Sequence, residues 1–138
     1  RQIFVNLPIR DLNATVDFFT RLGFEFDPRF TDENATCMII GDDSFVMLLT
    51  RPFFEGFIPD REIAGDGPTE TLVAVSCESR SAVDEMIERA EAVGGHEYRE
   101  AQDHGWMYAR AFTDLDGHVW EVMHADESQL PEEPQGGA

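Results

Sequence analysis

The stretch Asn6–Phe24, NLPIRDLNATVDFFTRLGF, decides the fold. Its first residues continue an apolar run from Ile3, so Ile3–Ile9 reads as a strand. Asp11 or Asn13 can cap a helix, because a short polar side chain can accept a hydrogen bond from an unpaired N–H of the first turn. Val16, Phe19 and Leu22, with Phe18 beside them, recur near the helical period, and Gly23 is placed to end that helix.

Outward from this unit, FEFDPRF (24–30) looks extended. ATCMIIGDDSFVMLLT (35–50) reads as two strands joined at Gly41-Asp42-Asp43. The order is β-α-β-β-β, and it recurs. TLVAVSC (71–77) is a strand, and SRSAVDEMIERAEAVGG (79–95) is a helix with Val83, Met86, Ile87 and Ala90 on one face. HEYRE (96–100) is extended, and residues 106–124 form two strands around Asp114–Gly117. Matching Val16 with Val83, and the glycines after each helix, gives an internal repeat of about seventy residues, too long for a solenoid.

The fold class is therefore α+β, with two βαβββ modules in tandem. Residues 1–52 form the first module and 71–124 the second. Residues 53–70 connect them and carry Phe53, Phe54 and Phe57, more apolar surface than a pure linker needs. Residues 125–138 have the composition of a disordered acidic tail.

The chain has 28 Asp and Glu against 10 Arg, no Lys, and a formal net charge of -18. Such a surface repels nucleic acid and anionic membranes, so neither is expected as a partner. No apolar run approaches the length of a membrane span, and the expectation is a soluble cytoplasmic protein. Cys37 and Cys77 sit in apolar runs without metal-type spacing and read as buried free thiols. No phosphate-binding loop, dinucleotide fingerprint or nucleophile elbow is present, and Ser44, Ser76 and Ser128 have no credible local base.

The paired modules, the opening NLPIRDLNATVDFFTRLGF and the closing DLDGHVWEV (114–122) together resemble the vicinal oxygen chelate superfamily, which holds glyoxalases, bleomycin-resistance proteins and extradiol dioxygenases. The resemblance covers Ile3 to His124. It implies mixed sheets curled around a cup, helices on the outer face, and a divalent metal held by side chains on the first and last strands of each module. Carried onto this chain, those positions fall at Phe4, Leu48, Leu72 and Glu121. Only Glu121 is a ligand-type residue, and one carboxylate with waters would hold an ion too weakly.

Alternation puts Val119 and Met123 on the cup face with Glu121, and turns His118, Trp120, Val122 and His124 the other way. Asn6 shares the parity of Phe4 and could hydrogen-bond a ligand or satisfy backbone groups. The expected cup lining comprises Phe4, Asn6, Leu48, Leu72, Ala74 and Met123. His104 and Trp106, with Tyr108, are candidates for a rim that stacks on a planar ligand. His96 and Glu97 lie on opposite faces of an extended segment and read as exposed.

The leading expectation is a protein of the glyoxalase and bleomycin-resistance type that binds a small molecule in an apolar cup anchored by Glu121, without a cofactor. The alternative is a metal-dependent lyase or isomerase, similar to lactoylglutathione lyase, with Glu121 as metal ligand or catalytic base. An extradiol dioxygenase would need two histidines and a carboxylate around iron. A homodimer is expected in either case.

Overall fold

The computed structural model describes residues 1–129. The first module runs β1 (Ile3–Ile9), α1 (Leu12–Arg21), β2 (Glu25–Asp27), β3 (Ala35–Ile39) and β4 (Ser44–Thr50). The second runs β5 (Val73–Ser76), α3 (Arg80–Ala92), β6 (His96–Asp103), β7 (Met107–Thr113) and β8 (Val119–Ala125). A short helix not expected from the sequence, α2 (Arg51–Glu55), follows β4 directly and carries Pro52 in its first turn, where a missing N–H costs nothing. Ala125 still belongs to β8 and Glu127–Gln129 form a 3-10 turn, while the rest of the expected tail lies outside the described residues.

Each module makes one four-stranded mixed sheet, in the orders β1-β4-β3-β2 and β5-β8-β7-β6. The pairs β1 with β4 and β5 with β8 are parallel, with β1 and β5 at the sheet edges, and the remaining pairs are antiparallel. The helices begin and end alike. Asp11 accepts from the Ala14 N–H and Ser79 from the Ala82 N–H, each satisfying one orphan donor of its first turn. Gly23 and Gly94 follow the helices at φ 103° and 104°, a left-handed conformation that a side chain would strain.

Both helices pack on the sheet face opposite the cup face, and the two helix-bearing faces share a single core. Leu7, Ile9, Val46 and Leu48 of the first sheet meet Phe18, Phe19 and Leu22 of α1, Val83 and Ile87 of α3, and Phe112, Trp120 and Val122 of the second sheet. The Phe19 and Trp120 rings lie 4.9 Å apart, and Phe18 approaches Phe112 at 6.2 Å. Since the helix sides face one another, the two cup faces are turned away from each other.

Trp120 is fully buried, so its indole N–H needs an acceptor. Asp114 provides it at 2.9 Å, and its other oxygen accepts from the Asp116 and His118 backbone N–H groups. Burial pushes the Asp114 carboxyl above the usual carboxylate range, against the opposing pull of His118 and of these donors. The turn also ties the modules together: His118 Nε2 lies 2.6 Å from the Pro8 carbonyl, and the Arg10 backbone N–H donates to Asp116 at 2.9 Å.

Asp114→Ala leaves the Trp120 N–H and two backbone donors without their acceptor. It is expected to lower the unfolding free energy by about 1–3 kcal/mol, measured by urea denaturation followed through tryptophan fluorescence.

Candidate functional site

The carboxylate in the middle of VWEVMHA is paired. Strand register places Arg99, Ala111, Glu121 and Ala74 in one row across the second sheet, from β6 through β7 and β8 to β5. Arg99 and Glu121 are two strands apart, about 10 Å between backbones, a span that the guanidinium can bridge only over a small residue. Ala111 lies between them, and Arg99 Nη2 donates to Glu121 Oε2 at 2.5 Å. The two side chains are 27% and 23% exposed, so the pair is partly desolvated and still reachable from solvent.

Arg99 reaches that face because β6 is irregular. Glu97 pairs with Phe112 and Arg99 with Ala111, so two residues of β6 advance against one of β7. A bulge of this kind reverses the alternation. Glu97 therefore joins Phe112 on the helix side, and Arg99 joins Ala111 on the cup face. A second shift between Arg99 and Gln102 brings Gln102 opposite Ala109, on the same face as Arg99.

The cup face of the second sheet thus has a floor of small side chains, Ala74, Ala109 and Ala111, with Glu121 and Arg99 above it and Met123 alongside Glu121. Leu72, 57% exposed, precedes β5 with the parity of Ala74. On the first sheet, Phe4 stacks on Phe45 at 4.9 Å with 16° between planes and remains 45% exposed. Asn6 is exposed beside it, its Nδ2 donating to the Phe4 carbonyl at 3.3 Å.

Leu48 does not belong to this lining. It pairs with Leu7, is 0% exposed and sits in the shared core under α1. Its neighbours Met47 and Leu49 face the other way, opposite Asn6 and Pro8, and Met47 occupies the row position that Glu121 holds in the second module. Nor does the fold bring the expected rim to Glu121. His104 and Trp106 lie in the β6–β7 connection, where Met107 pairs with Ala125, about 13 Å along the strand from Glu121. Tyr108 faces α3: its hydroxyl donates to Asp84 at 2.6 Å, and Arg80 lies over its ring at 4.6 Å.

The helix side of the sheet holds a charge cluster that the sequence did not reveal. Arg110 donates through Nε and Nη2 to both oxygens of Glu97, each at 2.8 Å, and through Nη1 to Asp84 at 2.7 Å. Glu97, expected to be exposed, is half-buried by this clamp. Hydrogen bonds from Tyr108 and then Arg110 hold the Asp84 carboxyl below its ordinary value, and Arg110 does the same for Glu97. Arg110 is raised in turn, chiefly by Glu97.

A separate open cleft of about 1270 Å³ lies beneath the connecting segment, between the end of β1, α2 and the Leu115–Val119 turn. Its wall mixes Arg10, Arg51 and Arg61 with Asp66, Glu70 and Asp116, and Arg10 closes on Asp66 at 2.7 Å. Asn6 reaches it and Glu121 does not. The thiols of Cys37, buried, and Cys77, half-buried, are both free, and burial raises both above their ordinary value.

The metal site that the resemblance implies does not fit these residues. Its three other positions are occupied by Phe4, Leu72 and, by register, Met47, and a guanidinium lies against the Glu121 carboxylate where a cation would be held. Among the described residues no group of three His, Cys, Asp or Glu side chains could hold an ion.

Two βαβββ modules with a common helical core and an open face on each sheet define the class of protein. The family model described as the Glyoxalase/Bleomycin resistance protein/Dioxygenase superfamily matches residues 1–122, and the chain belongs to that superfamily. Solved structures of like fold include the hypothetical protein SA1046 from S. aureus, 23% identical with a TM-score of 0.77 over 91% of this chain and 94% of that one. TioX from Micromonospora sp. ML1 is 25% identical, TM-score 0.63, over 91% and 98% of the two chains. The bleomycin resistance determinant encoded on the transposon Tn5 is 19% identical, TM-score 0.63, over 91% and 98%. No curated protein matches the chain. No helix among the described residues is long and apolar enough to cross a membrane.

Depressed carboxyl values at Asp84 and Glu97 add stability above their ordinary values, and this is lost as pH falls through the folded-state values. Arg110→Gln is expected to cost about 1–2 kcal/mol at neutral pH. It should also flatten the fall in melting temperature on acidification, measured by calorimetry from neutral pH downward.

Proposed function

We propose that the protein binds a small molecule on the open face of the second sheet, with Glu121 as polar anchor. One observation carries this reading. A carboxylate stands over a floor of alanines, one oxygen held by Arg99 and the other, Oε1, without a protein donor among the described residues. A mostly apolar surface with few convergent polar groups is the usual make-up of a small-molecule site. Membership of the glyoxalase and bleomycin-resistance superfamily agrees with a small-molecule site.

A second copy of the chain supplies the opposing wall. The cup faces point apart within one chain, each has a single sheet behind it, and Phe4 and Leu72 are left 45% and 57% exposed. Apolar surface of that sort favours burial against a partner.

In a thermal-shift screen of small molecules, compounds that stabilise the wild type should lose most of that effect in Glu121→Gln. An undiminished shift argues that Glu121 is structural. Protein purified without chelator or metal-binding tag should hold well under one divalent ion per chain, whereas stoichiometric Ni, Zn, Mn or Fe would favour a metal-dependent lyase or isomerase instead. Light scattering should give a dimer mass for the wild type and a monomer mass for Phe4→Glu; a monomeric wild type at micromolar concentration removes the shared cup.

A further inference from the structure

We infer that the recognition element is the Arg99–Glu121 pair as a unit. It takes a small molecule bearing an anionic group and a cationic or hydrogen-bond-donating group on neighbouring atoms, the chemistry of an α-amino-acid head group. The inference rests on the proposal that the Glu121 face binds a small molecule, and it adds the charge pattern of that molecule.

The pair is joined by one hydrogen bond, from Nη2 to Oε2. Among the described residues, Arg99 Nε and Nη1 and Glu121 Oε1 are engaged by no other protein group, and none of them is sealed from solvent. An anion can dock on the remaining guanidinium edge while a donor on the adjacent atom meets Oε1. Each ligand charge then faces its opposite, and the protein pair stays intact.

A ligand of single charge does worse. A simple cation approaching Glu121 meets a carboxylate already neutralised, with a guanidinium beside it. Displacing Arg99 to make room would leave that half-buried charge without its partner, a costly outcome in a partly desolvated site. A simple anion meets the mirror problem at Glu121. The pair thus selects by complementarity of two charges and disfavours either alone.

The strand irregularity points the same way. Without the bulge between Glu97 and Arg99, Arg99 would share the helix side with Glu97. Bulges recur where a side chain is re-aimed at a site. Here the re-aimed side chain comes to rest on the single carboxylate of this face's central row, across an alanine that leaves the approach open. Met123 lies next to Glu121 on the same face of β8, half-buried, and a polarizable thioether of this kind suits an aromatic tail.

The test compares three probes of like shape: L-phenylalanine, 2-phenylethylamine and 3-phenylpropanoate. Each is titrated by NMR into the full chain as wild type, Glu121→Gln and Arg99→Gln. L-phenylalanine should bind the wild type about tenfold more tightly than either analogue, since one charge-assisted contact is worth about that factor. It should perturb the Arg99 side-chain signal and the amides around Ala111 and Glu121. Each substitution should reduce it to the level of the matching single-charge analogue. If 2-phenylethylamine binds as tightly as L-phenylalanine and depends on Glu121 alone, the paired-charge inference falls and the Glu121 anchor stands. Equal binding of 3-phenylpropanoate also overturns the inference. If none of the three perturbs this face of the wild type, the paired-charge inference is overturned, while the Glu121 anchor is decided by the thermal-shift comparison with Glu121→Gln.

Discussion

Trp120 governs the layout of the molecule. Its ring is fully buried against Phe19 of the first module and lies parallel to Phe112 of its own sheet, with planes 5° apart. The indole therefore joins the two modules through their helix sides, and Asp114 supplies the acceptor that makes burying its N–H tolerable. Strand alternation then allows no choice for the next residue. With Trp120 committed to the core, Glu121 must point to the opposite face, and because the helix sides are joined, that face looks outward.

The parts of this plan written in period were readable from sequence. The βαβββ order, both helices with their glycine stops, and the face of Glu121 follow from periods of 3.6 and 2 and from helix-ending glycines that the chain repeats twice. Leu48 was misplaced because SFVMLLT is apolar at nearly every position. Val46 and Leu48 are buried in the core, and Leu49 is buried on the other face close to α2, so hydrophobicity carries no alternation from which to read parity. Only the backbone register, Leu48 against Leu7, settles which way it points. The short helix α2 hid within a segment that composition marked as connection.

Arg99 was invisible for a different reason. In HEYREAQD simple alternation pairs Glu97 with Arg99 on one face, and the bulge between them separates them. A bulge is a property of two strands together, so the residues of β6 alone do not announce it. The run does lack apolar alternation and is charged along an edge strand, which is the weak signal it offers. The same bulge frees Glu97 for Arg110, so one local defect sets up both the clamp against α3 and the pair on the cup face.

The internal repeat shows how far the two open faces have diverged. The row Arg99, Ala111, Glu121 and Ala74 corresponds in the first module to Asp27, Cys37, Met47 and Asn6. There the acidic residue does not cross the sheet. Asp27 is held by Arg29, two residues away, through Nη2 at 2.7 Å, and Met47 fills the place of the carboxylate. With Phe4 and Phe45 stacked nearby, that sheet offers an apolar and aromatic surface, while its counterpart offers matched charges over alanines. Two copies meeting open face to open face, first sheet against second, would enclose a space with one apolar wall and one charged wall. Such a space suits a molecule with a charged head and an apolar body, and the asymmetry between repeats would then be what orients it.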